Sequence, residues 1–406
     1  MTPTIQMAMD LHRQGRLNEA ERHYRSLLAK SPSQFEALHL FGILKLQQGN
    51  LLEALTLISK AVEINPSALD TRSNLIAVLL NLGRPADALG HCDSALAINP
   101  DAGMLYNRGV VLMQLGRPDE ALDSFDKVLA AKSDHADALF NRAAALAGLR
   151  RFKEAIADFD RLLSLVPRHA DALTNRGTLL AQLGRDADAL ADFDRALAVA
   201  PDLVNALVNR GIALKKLLRH REALASLDRA LAAKPDHVGA HVNRGNVLLD
   251  LYRAEDALAS FARALVLAPT DANALTSQGF ALHALGRYQE ALQSCDHALA
   301  SDAQNASACL VRGHALAKLD RPAEAAASYE RVLVLNSAQP FALGASLMAH
   351  RAACNWDRID GLLPAIEQSI HAGEAVIPPF NLLGLPLAPA VQLQCAKNFM
   401  RQRLPA

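Results

Sequence analysis

The sequence predicts an all-α fold in which about ten helix–turn–helix repeats stack into a solenoid, followed by a helical C-terminal segment. Three observations predict this fold. A period of 34 residues runs through most of the 406-residue chain, and small residues, glycine and proline recur at fixed positions of that period. Aromatic residues make up only 4% of a chain that is 51% hydrophobic, which disfavours an aromatic-cored β-sandwich. Repeats of this length cannot bury an apolar face alone, so neighbours must stack.

An alanine preceded by Asp or Glu marks the period in ten places. The step is 34 residues except for one step of 33 between Ala88 and Ala121. The ten alanines are Ala20, Ala54, Ala88, Ala121, Ala155, Ala189, Ala223, Ala257, Ala291 and Ala325. They take repeat position 20 when position 1 is assigned to Met1, Phe35, Leu69, Ala102, Ala136, Ala170, Val204, Val238, Ala272 and Ala306. Ten repeats then occupy residues 1–339, and residues 340–406 form a separate helical cap or junction.

Each recurring residue type predicts a part of the repeat. Glycine at position 8 and alanine at position 20 allow two helices to approach closely, and a large residue at position 24 fills the space between them. A glycine inside a helix costs about 1 kcal/mol, so its recurrence indicates a packing reason. Gly-Arg at positions 15 and 16 ends the first helix. The acid at position 19 lies in the first turn of the second helix, and proline at position 32 ends that second helix.

This pattern resembles the tetratricopeptide repeat, through the small residue at position 8, alanine at 20, the aromatic at 24 and proline at 32. The resemblance covers residues 1–339. It implies a right-handed superhelical solenoid in which the first helix of each repeat lines the concave face.

Six successive repeats carry an asparagine at position 6, which the resemblance places on the concave face. We call this set the asparagine row: Asn74, Asn107, Asn141, Asn175, Asn209 and Asn243. A carboxamide both donates and accepts hydrogen bonds, so such a row can hold the backbone of an extended peptide without reading its side chains. The alternative is that these amides serve hydrogen bonds between repeats only.

Arginine stands at position 7 in six repeats, where the resembled family has an apolar residue. Position 25 is acidic in most of the same repeats, as at Asp126, Asp160, Asp194, Asp228 and Glu330. We expect a structural arginine–carboxylate series between helices. An anion-binding role for these arginines is the alternative.

Other chemistry is not indicated. Lys and Arg together equal Asp and Glu at 42 each, which argues against a nucleic-acid partner. The five cysteines form no C-x-x-C pair, so we expect no metal site and no cofactor, and we expect Cys92, Cys295 and Cys309 to be buried. No apolar run spans a membrane and no leader pattern is present, so a cytoplasmic location is expected. The 31 arginines among 42 basic residues fit a high-GC bacterial genome.

The sequence of the C-terminal segment predicts three further helices, over 341–353, 357–371 and 390–403, with a loop at Pro378-Pro379. Asp357 is expected to cap the second of these helices, and Pro364 to kink or interrupt it. Trp356 is expected to be a core residue that joins the last repeat to this segment.

This segment resembles the junction that follows the repeats in bacterial proteins of the O-linked N-acetylglucosamine transferase (Spindly-type) family. The matching residues are Cys354-Asn355-Trp356-Asp357, Pro379 to Leu385, Pro389 and Gln392-Leu393, although Asn355 departs from the family's Cys-Asp-Trp. In that family the repeats deliver protein substrates to two Rossmann-like lobes that use UDP-N-acetylglucosamine. The family's catalytic His and nucleotide-binding Lys lie beyond this junction, so no residue here is matched to a catalytic role.

Two functions therefore remain open. The resemblance implies a protein-interaction module that binds extended peptide segments of clients, as the substrate-recognition part of a protein O-glycosyltransferase-like protein. On this interpretation the chain alone is inactive, and a UDP-sugar is involved only if a catalytic region exists elsewhere. The alternative is a stand-alone scaffold or adaptor with no link to glycosylation.

Overall fold

The computed structural model describes residues 4–339 and 341–403, which form 23 α-helices and one 3₁₀-helix with no strand among them. The all-α fold predicted from the sequence is therefore confirmed. The chain divides into two compact units, Met1–Val199 and Ala200–Ala406. Among the described residues, no helix combines the length and the apolar character that crossing a membrane requires.

The first unit consists of six helix pairs. The helices are α1 (Ile5–Arg13), α2 (Leu17–Lys30), α3 (Phe35–Gln47), α4 (Leu51–Ile64), α5 (Leu69–Asn81), α6 (Pro85–Ile98), α7 (Ala102–Gln114), α8 (Pro118–Ala131), α9 (Ala136–Gly148), α10 (Phe152–Leu165), α11 (Ala170–Gln182) and α12 (Asp186–Val199). Odd-numbered helices are the first helices of the repeats and even-numbered helices are the second.

The second unit continues the pattern with four pairs and adds the C-terminal segment. Its paired helices are α13 (Val204–Lys216), α14 (His220–Ala233), α15 (Val238–Asp250), α16 (Ala254–Leu267), α17 (Ala272–Ala284), α18 (Tyr288–Ser301), α19 (Ala306–Lys318) and α20 (Pro322–Leu335). The C-terminal segment contains α21 (Ala342–Ala352), α22 (Trp356–His371), the 3₁₀-helix Pro379–Leu382 and α23 (Pro389–Arg403). The division at residue 339 predicted from the period stays a prediction.

In seven of the ten helix pairs position 8 is glycine, and the side chain at position 24 lies against it. A Cβ added to Gly109 would lie 2.5 Å from the ring of Phe125, and one added to Gly313 would lie 2.6 Å from Tyr329. Phe125 is 0% exposed. The predicted packing reason for the recurring glycine is thus confirmed, because a Cβ at these glycines would overlap the side chain at position 24.

The turn between the two helices of a repeat depends on a left-handed residue at position 15. In the first repeat, Gly15 has φ +74° and Arg16 N donates to Leu11 O at 3.0 Å, the hydrogen bond of a Schellman motif. Tyr252 takes the same turn in the eighth repeat with φ +60°, although bulky residues rarely adopt this conformation. Four of the ten repeats therefore keep the turn without glycine, at Arg150, Leu218, Tyr252 and Asp320.

The C-terminal segment differs from the sequence expectations at two residues. The N-cap of α22 is Asn355, and Asp357 lies in the first turn, so the expected capping role of Asp357 is wrong. Trp356 is 60% exposed, so its expected place in the core is also wrong. The reason is that α22 turns its Ile359, Ile366 and Ile370 face inward, and Trp356 begins the helix outside that face. The helix continues through Pro364.

Replacement of Gly109 by Ala tests the packing at position 8. Overpacking of this contact is expected to lower the free energy of unfolding by about 1–2 kcal/mol, in spite of the better helix propensity of alanine. Gly90→Ala is the matched control, because a Cβ at this helical glycine meets nothing within 4 Å. The control should be neutral or stabilising by up to about 1 kcal/mol in urea unfolding followed by circular dichroism. Equal effects of the two changes would contradict the packing role.

Candidate functional site

The position-7 arginines form ion pairs between helices, as the sequence predicts. Arg142 donates from Nε and Nη2 to Asp158 of its own repeat, at 2.7 and 2.6 Å, and from Nη1 to Asp126 of the preceding repeat. Arg176 binds Asp192 and Asp160 in the same way. Asp158 and Asp192 are 4% and 3% exposed, and hydrogen bonding to them raises the pKa of both guanidinium groups above the ordinary value. These arginines are already engaged by carboxylates, which supports the structural interpretation over anion binding.

Three members of the asparagine row donate to position 5 of the preceding repeat in the first unit. Asn74 Nδ2 lies 2.9 Å from His39 Nε2, Asn107 Nδ2 donates to Ser73 Oγ at 3.0 Å, and Asn141 Nδ2 donates to the Tyr106 hydroxyl at 2.9 Å. Each of these amides therefore joins two successive first helices. Its Oδ1 acceptor forms no hydrogen bond to the described residues, so it is available to a ligand.

The hydrogen bonds of the remaining members of the row depend on which residue stands at position 5 of the preceding repeat. Position 5 before Asn175 is Phe140, which cannot form such a bond, and the Asn175 side chain is exposed with no hydrogen bond to the described residues. Position 5 before Asn243 is Val208, and Asn243 Nδ2 donates instead to Gly239 O of its own helix at 2.8 Å. Asn209 has a partner within the protein. Some amides of the row therefore form hydrogen bonds within the protein, and others leave groups available to a ligand.

A polar depression of about 630 Å³ lies on the first helices of the second unit, α15, α17 and α19. We call it the inner groove. Repeat positions 2, 5, 6 and 9 provide most of its walls, a spacing that places side chains on one face of a helix. Its uncharged polar side chains are Asn243, Asn246, Asn273, Thr276, Ser277, Asn305 and Ser307, and its charged ones are Lys215 and Asp271. Phe280 lies among them with 43% of its surface exposed.

Some of these polar side chains form hydrogen bonds within the protein, and others form none to the described residues. Asn305 Oδ1 accepts from Ala308 N at 2.9 Å as a helix cap, and Thr276 Oγ1 donates to Ala272 O at 2.6 Å. By contrast, the side chains of Asn246, Asn273, Ser277 and Ser307 form no hydrogen bond to any residue that the structure describes. Lys215 at the edge pairs with Asp250 at 3.4 Å. The inner groove therefore offers mainly uncharged donors and acceptors rather than a charged clamp.

Asn243 is the only residue of this groove that belongs to the asparagine row predicted from the sequence. The row covers position 6 in repeats three to eight, whereas the groove combines four positions across repeats eight to ten. The signal was available, because Asn246, Asn273 and Ser277 lie on the helical face that position 6 shares. What the sequence does not reveal is which of the polar residues on that face are left without partners.

The cysteines carry no reactive thiolate in the repeats. Cys92, Cys295 and Cys309 are buried, as predicted. Burial raises the pKa of Cys92 and of Cys295 to about 12, so both thiols stay protonated near neutral pH. Within residues 4–339 and 341–403, no cluster of three or more His, Cys, Asp or Glu side chains could hold a metal ion.

Two histidines lie close together on successive first helices of the second unit. The rings of His283 on α17 and His314 on α19 have centroids 5.9 Å apart, and His283 Nε2 is buried without a hydrogen-bond partner among the described residues. Burial lowers the pKa of both imidazoles below the ordinary value, and Lys318 acts in the same direction on His283. The folded chain therefore favours the neutral forms.

Comparison with known sequences identifies the repeats. A sequence model described as Tetratricopeptide repeat matches residues 5–68, 39–103, 73–136, 106–165, 140–203, 208–272, 253–306 and 276–342. These matches together extend over most of the chain. No curated protein matches the sequence at a significant level.

Solved structures show similarity in fold. A tetratricopeptide repeat protein from Parabacteroides merdae is 21% identical, with 61% of this chain and 98% of that chain covered and a TM-score of 0.50. Yeast Tom70 is 14% identical over 99% of this chain and 96% of its own, with a TM-score of 0.45. YrrB, described as a TPR protein with an unusual peptide-binding site, is 22% identical over 48% of this chain and 97% of its own, with a TM-score of 0.38.

Acidification tests the buried histidines. Because the folded-state pKa is lowered, the unfolded chain binds more protons below about pH 6.5, and the free energy of unfolding should fall as the pH is lowered from 7.5 to 5. Replacement of His283 and His314 together by Gln should make this fall shallower in urea unfolding at each pH. His371→Gln is the control, since its side chain is 62% exposed. An unchanged slope in the double variant would contradict the assignment.

Proposed function

Because the chain belongs to the tetratricopeptide repeat family, we propose that it binds extended segments of client proteins on the inner face of its first helices. Proteins of this family generally mediate protein–protein interactions. The observation that carries the proposal is the inner groove, where Asn246, Asn273 and Ser277 present hydrogen-bonding groups that no described residue satisfies.

The chemistry of the inner groove suits a peptide backbone. An extended chain presents one N–H and one C=O per residue, and a carboxamide can form hydrogen bonds with both. Uncharged amides and hydroxyls at spaced positions therefore hold the backbone and read the sequence weakly, a mode that suits disordered clients. The groove has no set of basic side chains that would require a terminal carboxylate or an acidic peptide.

The asparagine row extends the same proposal to the rest of the chain. We propose Asn74, Asn107, Asn141, Asn175, Asn209 and Asn243 as peptide-binding residues. In the first unit the Nδ2 groups of three of them already join successive repeats, so their contribution is the Oδ1 acceptor, which takes a hydrogen bond from a peptide N–H. Asn175 has both its donor and its acceptor available.

Combined replacement of Asn246, Asn273 and Ser277 by Ala tests the inner groove. Loss of several hydrogen bonds, each contributing about 0.5–1.5 kcal/mol, should weaken binding at least about tenfold. The probe is a fluorescein-labelled twelve-residue peptide of Ser, Thr, Asn and Gly, followed by fluorescence anisotropy. A parallel variant of Asn141, Asn175 and Asn209 tests the asparagine row.

The control triple replaces Gln289, Gln293 and His297 by Ala, because all three are exposed on the second helix α18. Binding by this control should match the unmodified chain, and helicity should be unchanged in every variant. Equal affinities of the groove triple and the control triple would exclude the inner groove as the peptide site.

A narrower role is supported by the C-terminal segment. We propose that the repeats are the substrate-recognition part of a protein O-GlcNAc transferase-like protein, on the resemblance of Cys354 to Asp357 and of Pro379 to Leu385. Trp356 and Phe380 are 60% and 80% exposed, so both motifs leave a large apolar side chain uncovered. The alternative is a stand-alone scaffold with no link to glycosylation.

The purified 406-residue chain should neither hydrolyse UDP-N-acetylglucosamine nor transfer its sugar. The physical reason is that two Rossmann-like lobes require parallel sheets, whereas the described residues contain no strand. The measurement is release of UDP with and without the probe peptide, with a heat-treated sample as the control. UDP release above that of the control would contradict the expectation.

A further inference from the structure

The inner face changes from polar to apolar between α17 and α21. On α19, positions 5, 6 and 9 are Leu310, Val311 and His314, which carry no amide or hydroxyl. On α21, counted from residue 340 as position 1, positions 2, 5, 6 and 9 are Phe341, Gly344, Ala345 and Met348. A peptide that leaves the inner groove toward the C-terminus of the chain therefore meets an apolar surface.

A segment of the chain itself lies on this part of α21. We call residues 375–387 the strap. A Cβ on Gly344 would lie 2.5 Å from Val376 O and 2.8 Å from Ile377 Cβ, so the strap touches the helix backbone. Ile377 and Leu382 are fully buried, and Cys395 Sγ donates to Ile377 O at 3.3 Å. The strap is thus held between α21 and α23.

The strap and α21 enclose a pocket with the preceding repeat. Its volume is about 380 Å³, and most of its wall is apolar. The lining from the preceding repeat includes Ala317, Pro322 and Tyr329, and that from the strap is Pro378 and Asn381. The lining from the α21 side is Phe341, Gly344, Ala345, Met348, Ala349 and Ala352. The small residues Gly344, Ala345 and Ala349 leave the space that a large side chain needs.

We propose that this pocket receives one large apolar side chain, such as Phe or Leu, of the same extended peptide that the inner groove binds. The inference rests on the proposed function. It is carried by the shared register of the two surfaces, since the pocket occupies on α21 the same four repeat positions that form the groove on α15 and α17.

The repeat geometry gives the spacing of this anchor. Packed helices lie about 8–10 Å apart, so two steps from α17 to α21 span about 16–20 Å. An extended chain rises about 3.3 Å per residue, which places the apolar side chain about five to six residues from the peptide residue that contacts Ser277 and Phe280. The client segment is therefore a polar stretch with a single apolar anchor toward one end.

The test uses the polar twelve-residue probe and a set of peptides in which one residue at a time is replaced by Phe. Burial of the added side chain in a half-open pocket should strengthen binding to the full chain about tenfold, at one or two adjacent positions only. Ala345→Phe, which fills the pocket, should remove this advantage and leave the affinity for the all-polar peptide unchanged.

Two further variants keep the test independent of misfolding. Ala352→Trp fills the pocket from an exposed position and should act like Ala345→Phe. Ala327→Phe adds the same apolar surface at an exposed site on α20 outside the pocket, and it should retain the tenfold advantage. Circular dichroism establishes which variants are folded.

The outcomes separate the two proposals. If the all-polar peptide binds and Phe gives no advantage, or if the advantage survives in both filled variants, the pocket inference is wrong and the groove stands. If no peptide binds the full chain, the proposed function itself fails. If sedimentation shows a dimer that Ala345→Phe dissociates, the pocket holds a second copy of the chain, and the inference is also wrong.

Discussion

The structure depends on the contact between a glycine at repeat position 8 and a large side chain at position 24. In the fourth repeat the Phe125 ring occupies the space that a side chain at Gly109 would need. This contact sets how closely the two helices of a pair approach, and the same pair geometry recurs along each unit. It also decides which face of the first helix lies outside the core, so most residues at positions 2, 5, 6 and 9 stay at least partly exposed.

A second interaction ties successive repeats together. Arg142 and Arg176 each bridge a buried aspartate of their own second helix and an exposed aspartate of the preceding one. Breaking a pair that includes a buried carboxylate is strongly destabilising, because the charge left behind loses its partner. These arginines thus define the register between repeats, while the inner groove of the second unit is lined mainly by uncharged side chains.

The repeats were predictable because the same residue types recur at fixed positions, with glycine at position 8 in seven of the ten repeats. The arginine series follows from the fixed offset between positions 7 and 25. Residues outside the period were not predictable. Trp356 is exposed because α22 buries another face, which no periodic pattern reveals. The partners of the asparagine row depend on position 5 of the preceding repeat, so Asn141 and Asn175 differ through Tyr106 and Phe140. The free groups of the inner groove likewise appear only when the helices are assembled.

These features support a chain in which packing and recognition use largely separate positions of one repeat, with a mostly uncharged groove that holds peptide backbone on the first helices. Site-specific photocrosslinking tests that claim most directly. A benzoylphenylalanine placed at Ser277, in the inner groove, should form an adduct with the bound peptide. The same group at Ala259, exposed on the second helix α16, should form none. An adduct at Ala259 without one at Ser277 would contradict the account.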